Sequence, residues 1–236
     1  MSTSSEILQQ YVKLTEFLGL FLGPDYEIAL HDLSDANHSV IAIANNYISG
    51  RQVGAPLTNV ALSILRDKSY ESSDHLLHYR GTSVHGKSLL SSTMFIKHDG
   101  ELIGMLCINF DDSRYRAVAD QVMELCRPDI LTNTMMSISG LTGSVPETAP
   151  VHTMTETFSH SADSVAADSI GRALEKIGVA PERLSSAERM QIIAALDAEG
   201  IFLLKGIVKD VAARLRCSQA SVYRYLSQIR SGAELL

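Results

Sequence analysis

The segment Lys205–Arg230, KGIVKDVAARLRCSQASVYRYLSQIR, decides how the chain is read. It divides into two short helices, Lys205–Arg216 and Gln219–Arg230, with Ser218 placed to cap the second. Val211 and Leu215 give the first helix an apolar face, Cys217 extends it at the exit, and small Ala212 sits where two helices must approach closely. Val222 and Tyr225, four and seven residues after the cap, give the second helix its buried face. A small residue, a tight capped turn and that spacing describe a helix-turn-helix pair, whose second helix enters the DNA major groove by its N-terminal residues. With Val222 and Tyr225 turned inward, Gln219, Ala220, Ser221, Tyr223 and Arg224 face the DNA. Arg224 suits a bidentate contact to guanine and Gln219 one to adenine. Ser218, Ser221 and Tyr223 suit phosphate, because hydroxyls position a protein without reading sequence. Arg216 stands in the turn where Gly or Asn is usual, and a left-handed backbone there costs on the order of 1 kcal/mol relative to Gly. Cys217 reads as a small core hydrophobe, since nothing beside it in the sequence lowers its pKa.

Charge points to the same segment. The 236 residues carry a net charge of −7, which excludes a general nucleic-acid binder, yet the charge is unevenly spread. Residues 1–161 hold 10 Lys+Arg against 18 Asp+Glu, whereas residues 162–236 hold 10 against 9. Within Lys205–Arg230 six basic residues face a single acid, Asp210. A local basic excess on an acidic chain is the footprint of a confined phosphate-binding face. The alternative is an ordinary helical pair with a solvated basic surface.

Outward from this segment the chain divides in two. Gly140–His160, GLTGSVPETAPVHTMTETFSH, has no apolar period and reads as a linker. The expected organisation is therefore a sensor domain over residues 1–139, a linker over 140–161 and a helical DNA-binding domain over 162–236. Ahead of the helix pair, Ala162–Ile177 is an amphipathic helix, and Ser185–Glu188 is a capping box for a helix running to Glu199. The N-terminal block opens with a helix over Ser5–Leu22, striped by Ile7, Tyr11, Leu14, Leu18 and Phe21. Five strands are expected: Tyr26–Ser34, Ser39–Ser49, Leu76–Ser83, Ser88–Asp99 and Glu101–Asp111, the last two joined by the strong hairpin signal Asp99-Gly100. Helices at Asn59–Asp67 and Tyr115–Cys126 complete an α+β domain with one antiparallel sheet, wired as PAS-type sensors are.

Composition sets outer limits. At 45% apolar and 20% charged, with no Trp, the chain is globular with an aliphatic core. Its longest strongly apolar run, Leu18–Leu22, is far below the ~20 residues that span a bilayer, and the start MSTSSEILQQ has no secretory pattern. No membrane partner is expected. Three scattered cysteines, Cys107, Cys126 and Cys217, form no disulfide framework, so a reduced, cytoplasmic protein is expected.

The strings LGPDYEIALHDLS, ISGRQVGAPLTN, SSTMFIKHDGELIGMLCINFD, GIFLLKGIVKDVAARL and SQASVYRYLSQIR together resemble the YheO-like family of bacterial transcriptional regulators. The resemblance covers most of the chain apart from the linker. It implies a PAS-like sensor domain followed by an all-α helix-turn-helix domain, in a cytoplasmic homodimer that binds double-stranded operator DNA and answers to a small-molecule effector. The resemblance does not define the effector.

Candidate effector contacts lie in the N-terminal block. His31 and Asp32 are adjacent on a strand and point to opposite faces, so a catalytic pair is not expected, whereas His31 is a candidate ligand contact. Asn45 and Arg51 cluster with Ser49, Gly50 and Gly54 where a strand enters a glycine-rich loop. Arg51 offers a planar fork for a carboxylate or phosphate, or else a salt bridge. Ser91 and Thr93 share one strand face, and Asn109 lies on the strand that borders the cavity in PAS-like folds. His75, His78 and His85 with Asp74 lack a fourth ligand at zinc spacing, so no metal is expected; haem has no supporting feature, flavin no recognisable pattern, and no cofactor is assigned. Two other classes remain as alternatives: a small-metabolite enzyme with a regulatory helical domain, and an adaptor whose helices dock a protein instead of DNA.

Overall fold

The computed structural model describes residues 3–83, 86–126, 155–159 and 161–233. Helix α1, Ser4–Leu22, starts at a capping box in which Thr3 Oγ1 accepts from the Glu6 amide and Glu6 returns to the Thr3 amide. The strands are β1 Tyr26–Asp32, β2 Val40–Ala44, β3 His75–Thr82, β4 Ser88–His98 and β5 Glu101–Phe110. Helix α2, Asn59–Asp67, lies between β2 and β3, and α3, Ser113–Cys126, follows β5. Asp99 and Gly100 both take positive φ, the turn geometry their identities favour.

Two strand expectations are corrected. β2 ends at Ala44, five residues early, because Asn45 adopts a left-handed backbone and its Nδ2 donates to the carbonyls of Gly19, Gly23 and Tyr26 at 3.1, 3.0 and 2.8 Å. The sheet also gains a sixth strand, β6 Thr155–Thr157, from inside the stretch read as linker. β6 runs parallel to the edge of β3, which makes the sheet mixed, in the order β2-β1-β5-β4-β3-β6.

One sheet face, carrying Ile28, Leu30, Ile96 and Leu106, packs on Leu8 and the inner side of α1. The opposite face, carrying Ala29, Tyr79, Phe95, Met105 and Cys107, is covered by α2 and shares its core with the C-terminal helices. These are α4 Ala162–Ile177, α5 Ser186–Ala198, α6 Ile207–Arg214 and α7 Gln219–Ala233. Val60, Leu62 and Ile64 of α2 join Ile192, Ile193, Leu196 and Ile201 in one apolar cluster. The contact is close enough to demand glycine at its tightest point: Gly200, at φ +74°, leaves room where a Cβ would stand 2.5 Å from the Leu62 carbonyl oxygen.

Candidate functional site

The α6–turn–α7 unit has the geometry its spacing predicts. Val211, Leu215 and Val222 are fully enclosed, Ala212 and Tyr225 are buried, and Cys217 is half-buried. Ser218 Oγ accepts from the Ser221 amide at 3.1 Å, so α7 is capped as expected. Arg216 takes φ +50° in the turn. Ser218, Gln219, Ala220, Tyr223 and Arg224 are exposed on the N-terminal half of α7, and Ser221 is half-buried. Arg224 rests with its guanidinium carbon 5.4 Å from the Tyr225 ring centroid, within cation–π reach, and its side chain stays exposed. Lys209 and Arg214 are exposed nearby on α6. The face can offer cations, hydroxyls and a capped helix N-terminus to an anionic surface.

The second site is inside the N-terminal sheet. Glu27, Asn109, Ser91 and Tyr79 form one row of partners across β1, β5, β4 and β3, all turned to the face under α2. Ala29, Cys107 and Thr93 form the next row. The Glu27 carboxylate accepts from Ser49 N and Oγ at 3.0 and 2.6 Å and from Asn109 Nδ2 at 2.9 Å. Burial pushes its carboxyl up, against the pull of those bonds and of Arg51. Arg51 is buried, its Nη2 donating to the Pro56 carbonyl and its guanidinium carbon lying 5.8 Å from the Phe158 ring centroid. Glu156 enters from β6, accepting a 2.7 Å bond from Thr58 Oγ1. Its carboxyl is also raised by burial, opposed by Thr58 and by the Arg51 charge.

Among the sequence candidates, Arg51, Ser91 and Asn109 thus meet in this chamber. Thr93 adjoins it with its hydroxyl already engaged, 2.8 Å from Tyr79 Oη and 3.2 Å from Cys107 Sγ. His31 is buried on the same face, 2.9 Å from Ser39 Oγ, and burial with the Arg51 charge holds its pKa well below the usual value, so the ring is neutral. Asp32 points away and accepts from the Ser34 amide. Asn45 belongs to the α1–β1 junction, where its amide is spent on three carbonyls. Cys107 is pushed by burial to about 12, which removes it as a nucleophile. His75 and His78 lie exposed on β3, His75 before the bulge and His78 within it at φ +54°, and His85 lies outside the described residues.

Three chamber residues escaped the sequence reading: Glu27, Tyr79 and Glu156. Glu27 carried a signal, since alternation places it beside Ala29 and His31 on the inward face of β1, where a carboxylate needs a reason. Glu156 carried none, because its strand lies in a stretch without period.

The two sites are joined by a tie of charged groups. Arg66 of α2 donates from Nε to the Asp197 carbonyl at 2.9 Å and from Nη2 to its carboxylate at 2.7 Å. Arg230 of α7 donates to the other carboxylate oxygen at 2.7 Å. Burial works against the charge of Asp197, but the bonds from Arg230 and Arg66 outweigh it and hold the carboxyl below the usual range. A second contact pairs the Lys205 amide with Asn37 Oδ1 at 2.9 Å, ahead of α6.

A PAS-type sheet domain joined to a helix-turn-helix domain is the plan of a DNA-binding regulator rather than of an enzyme. Comparison with known sequences places the chain within that class: residues 2–127 match the YheO-like PAS domain and residues 165–227 match a helix-turn-helix domain. YheO of Escherichia coli (strain K12) is 30% identical over 231 residues, covering 98% of this chain and 88% of that protein. YheO of Shigella flexneri has the same identity and coverage, and an uncharacterized protein of Haemophilus influenzae is 29% identical over 230 residues, covering 97% and 93%. The chain belongs to the YheO-like PAS domain family.

Proposed function

We propose that the protein is a homodimeric, sequence-specific transcriptional regulator that binds operator DNA through α7 and receives a small-molecule effector in its PAS-like domain. The observation that carries this reading is the exposed N-terminal face of α7, where Gln219, Tyr223 and Arg224 stand clear above the buried Val222 and Tyr225. Ser218, Gln219, Ala220, Ser221, Tyr223 and Arg224 are the proposed DNA contacts, with Arg224 and Gln219 reading base edges and the hydroxyls holding phosphate. Arg51, Ser91 and Asn109 are the proposed effector contacts, with His31 and Thr93 as neighbours that shape the chamber. The division into residues 1–139, 140–161 and 162–236 is retained in this proposal, with β6 returning from the linker to the sensor sheet. Among the described residues no helix is long and apolar enough to cross a membrane, and a DNA-binding role fits a cytoplasmic protein.

Effector binding alters DNA affinity only if it favours one arrangement of α7 over another. The Arg66–Asp197–Arg230 tie supports such a route, since it runs from the helix that covers the effector chamber to the helix that faces DNA. The experiment is fluorescence anisotropy on duplexes from upstream of the protein's own gene and on an unrelated duplex, at two salt concentrations. Tight binding to one fragment, weakened by salt and by Arg224→Ala, is the expected result. Binding that is insensitive to salt and to Arg224→Ala refutes the reading and favours a protein-docking role.

A further inference from the structure

Among the described residues, the chamber under α2 holds four buried polar atoms that make no well-formed hydrogen bond, Arg51 Nε, Ser91 Oγ, Asn109 Oδ1 and Glu156 Oε2, although the Ser91 and Tyr79 hydroxyls lie close enough to the Glu156 carboxyl to pull its pKa down. Buried polar atoms are almost always satisfied, so four in one small space mark a site built for something else. The placement of Arg51 sharpens the point. A buried guanidinium is ordinarily matched by a carboxylate that bonds it directly. Here Glu27 spends its oxygens on Ser49 and Asn109, and Glu156 spends one on Thr58, so both act on Arg51 across the chamber and neither bonds it.

Among the described chamber residues, Glu156 is carried by a short edge strand. β6 has three residues, pairs among the described residues with the edge of β3, and is held on its other side by Thr58 and by a 2.7 Å bond from the Thr157 amide to Asn59 Oδ1. Phe158 follows and covers Arg51, seated over Gly81, where a Cβ would stand 2.8 Å from the Phe158 ring and 2.9 Å from Ser91 Oγ. With β6 in place the chamber is sealed. With β6 withdrawn, Arg51 Nε, Thr58 Oγ1 and Ser91 Oγ remain as donors around the space the Glu156 carboxylate had filled. That donor set accepts a planar anion.

We propose that this chamber is a binding site for a small carboxylate, and that Glu156 on β6 is its built-in competitor, displaced when the carboxylate bonds Arg51, Thr58 and Ser91. The inference rests on the effector-binding part of the function proposed above and adds the chemical class of the effector and what it moves. Helix α4 begins at Ala162, four residues beyond Phe158, so withdrawing β6 releases the entry to the helix-turn-helix domain.

The test uses the full chain and propionate, the free counterpart of a glutamate side chain, with propionamide as the uncharged control at constant ionic strength. Calorimetry and thermal melting are expected to show saturable propionate binding to Glu156→Ala, with a melting temperature that rises with dose. Wild type is expected to bind at least tenfold more weakly, because Glu156 competes, and propionamide is expected not to bind. Adding Arg51→Met to Glu156→Ala abolishes the binding. Should circular dichroism show that pair unfolded, Thr58→Val in place of Arg51→Met carries the same arm, with at least a fivefold loss. Equal binding to wild type and Glu156→Ala, equal binding of propionamide, or no saturable binding to Glu156→Ala each overturns the proposal. Hydrogen exchange supplies the second readout: propionate speeds exchange of residues 155–159 in wild type, and unchanged or slower exchange with propionate bound overturns the displacement. DNA anisotropy on the same samples separates the two ideas. Intact DNA binding without propionate binding refutes the carboxylate site alone, and the converse refutes the DNA-binding reading alone.

Discussion

Asp197 and Glu156 are both sealed carboxylates, yet their surroundings move them in opposite directions. Asp197 is bonded by Arg66 and Arg230 and held below the usual carboxylate range, so it supports the fold at neutral pH and that support is lost as pH falls through its lowered pKa. Glu156 has burial as its largest influence, which outweighs the bond from Thr58 and the pull of Arg51, Tyr79 and Ser91, so it is raised; the folded state binds its proton more tightly than the unfolded chain does. Stability from that proton is present in acid and lost as pH rises through the raised pKa. Glu156→Gln is therefore expected to flatten the decline in melting temperature as pH rises above the ordinary glutamate range of about 4, while Asp197→Asn removes the drop at lower pH. Melting curves across that range check both; a Glu156→Gln profile parallel to wild type contradicts the assignment. Asp197→Asn also costs about 1–2 kcal/mol at neutral pH, less than a fully buried pair, because both arginines are half exposed to solvent. At this scale the sequence was readable where a residue type conflicts with its position, as for Arg51 and Asn109, and unreadable where a partner lies far along the chain. Nothing local to Asp197 indicates that it meets Arg66, 131 positions away.

At the scale of elements, legibility followed how local the stabilising interactions are. Helices α4, α5 and α7 of the C-terminal half carry side-chain caps, since Ser161, Ser185 and Ser218 each accept from an amide three residues on, whereas α6 starts at Gly206 without one. The β4–β5 hairpin is likewise written in Asp99-Gly100. β6 is the opposite case: three residues in parallel pairing with β3 carry no turn signal and no period, and their stability comes from Thr58, Asn59 and Gly81. The turn between α6 and α7 gives an element-scale prediction. Arg216 holds a left-handed backbone, and its ion pair to Glu182 at 3.3 Å is exposed. Arg216→Gly relieves the strain and is expected to stabilise the protein by about 0.5–1 kcal/mol in urea unfolding, a small positive change because glycine also gains freedom in the unfolded chain. At the exit of α5 the reverse holds. Gly200→Ala drives a methyl into the Leu62 carbonyl and is expected to cost about 2 kcal/mol or more, separating the helical domain from α2.

At the scale of the whole molecule, the faces left uncovered matter most. Of the stripe expected on α1, Ile7, Tyr11, Leu14 and Leu18 pack beside Leu8 against the sheet, whereas Phe21 projects outward together with Phe17 and Leu20, and Phe17 and Phe21 stack at 5.8 Å. Helix α3 is exposed along its described length, and Tyr115, Val118, Val122 and Leu125 repeat on one side at helical spacing. Arg114 joins Asp25, which brings the start of α3 near the end of α1. A monomeric soluble protein rarely leaves an apolar helix face of this kind in water. One helix-turn-helix contacts few base pairs, and two copies related by a two-fold axis engage half-sites one helical turn apart. The patch is accordingly the expected dimer surface, with a second copy of this chain as its occupant. Replacing Val118 and Val122 together by Glu is expected to shift the protein to monomer in analytical ultracentrifugation, with circular dichroism unchanged because neither side chain contributes to the core. Operator affinity is expected to fall at least tenfold, while binding to unrelated DNA, which rests on phosphate contacts from each copy, falls much less. A dimer that persists with both substitutions removes the patch from the interface, and a monomer that binds operator undiminished removes the need for two half-sites.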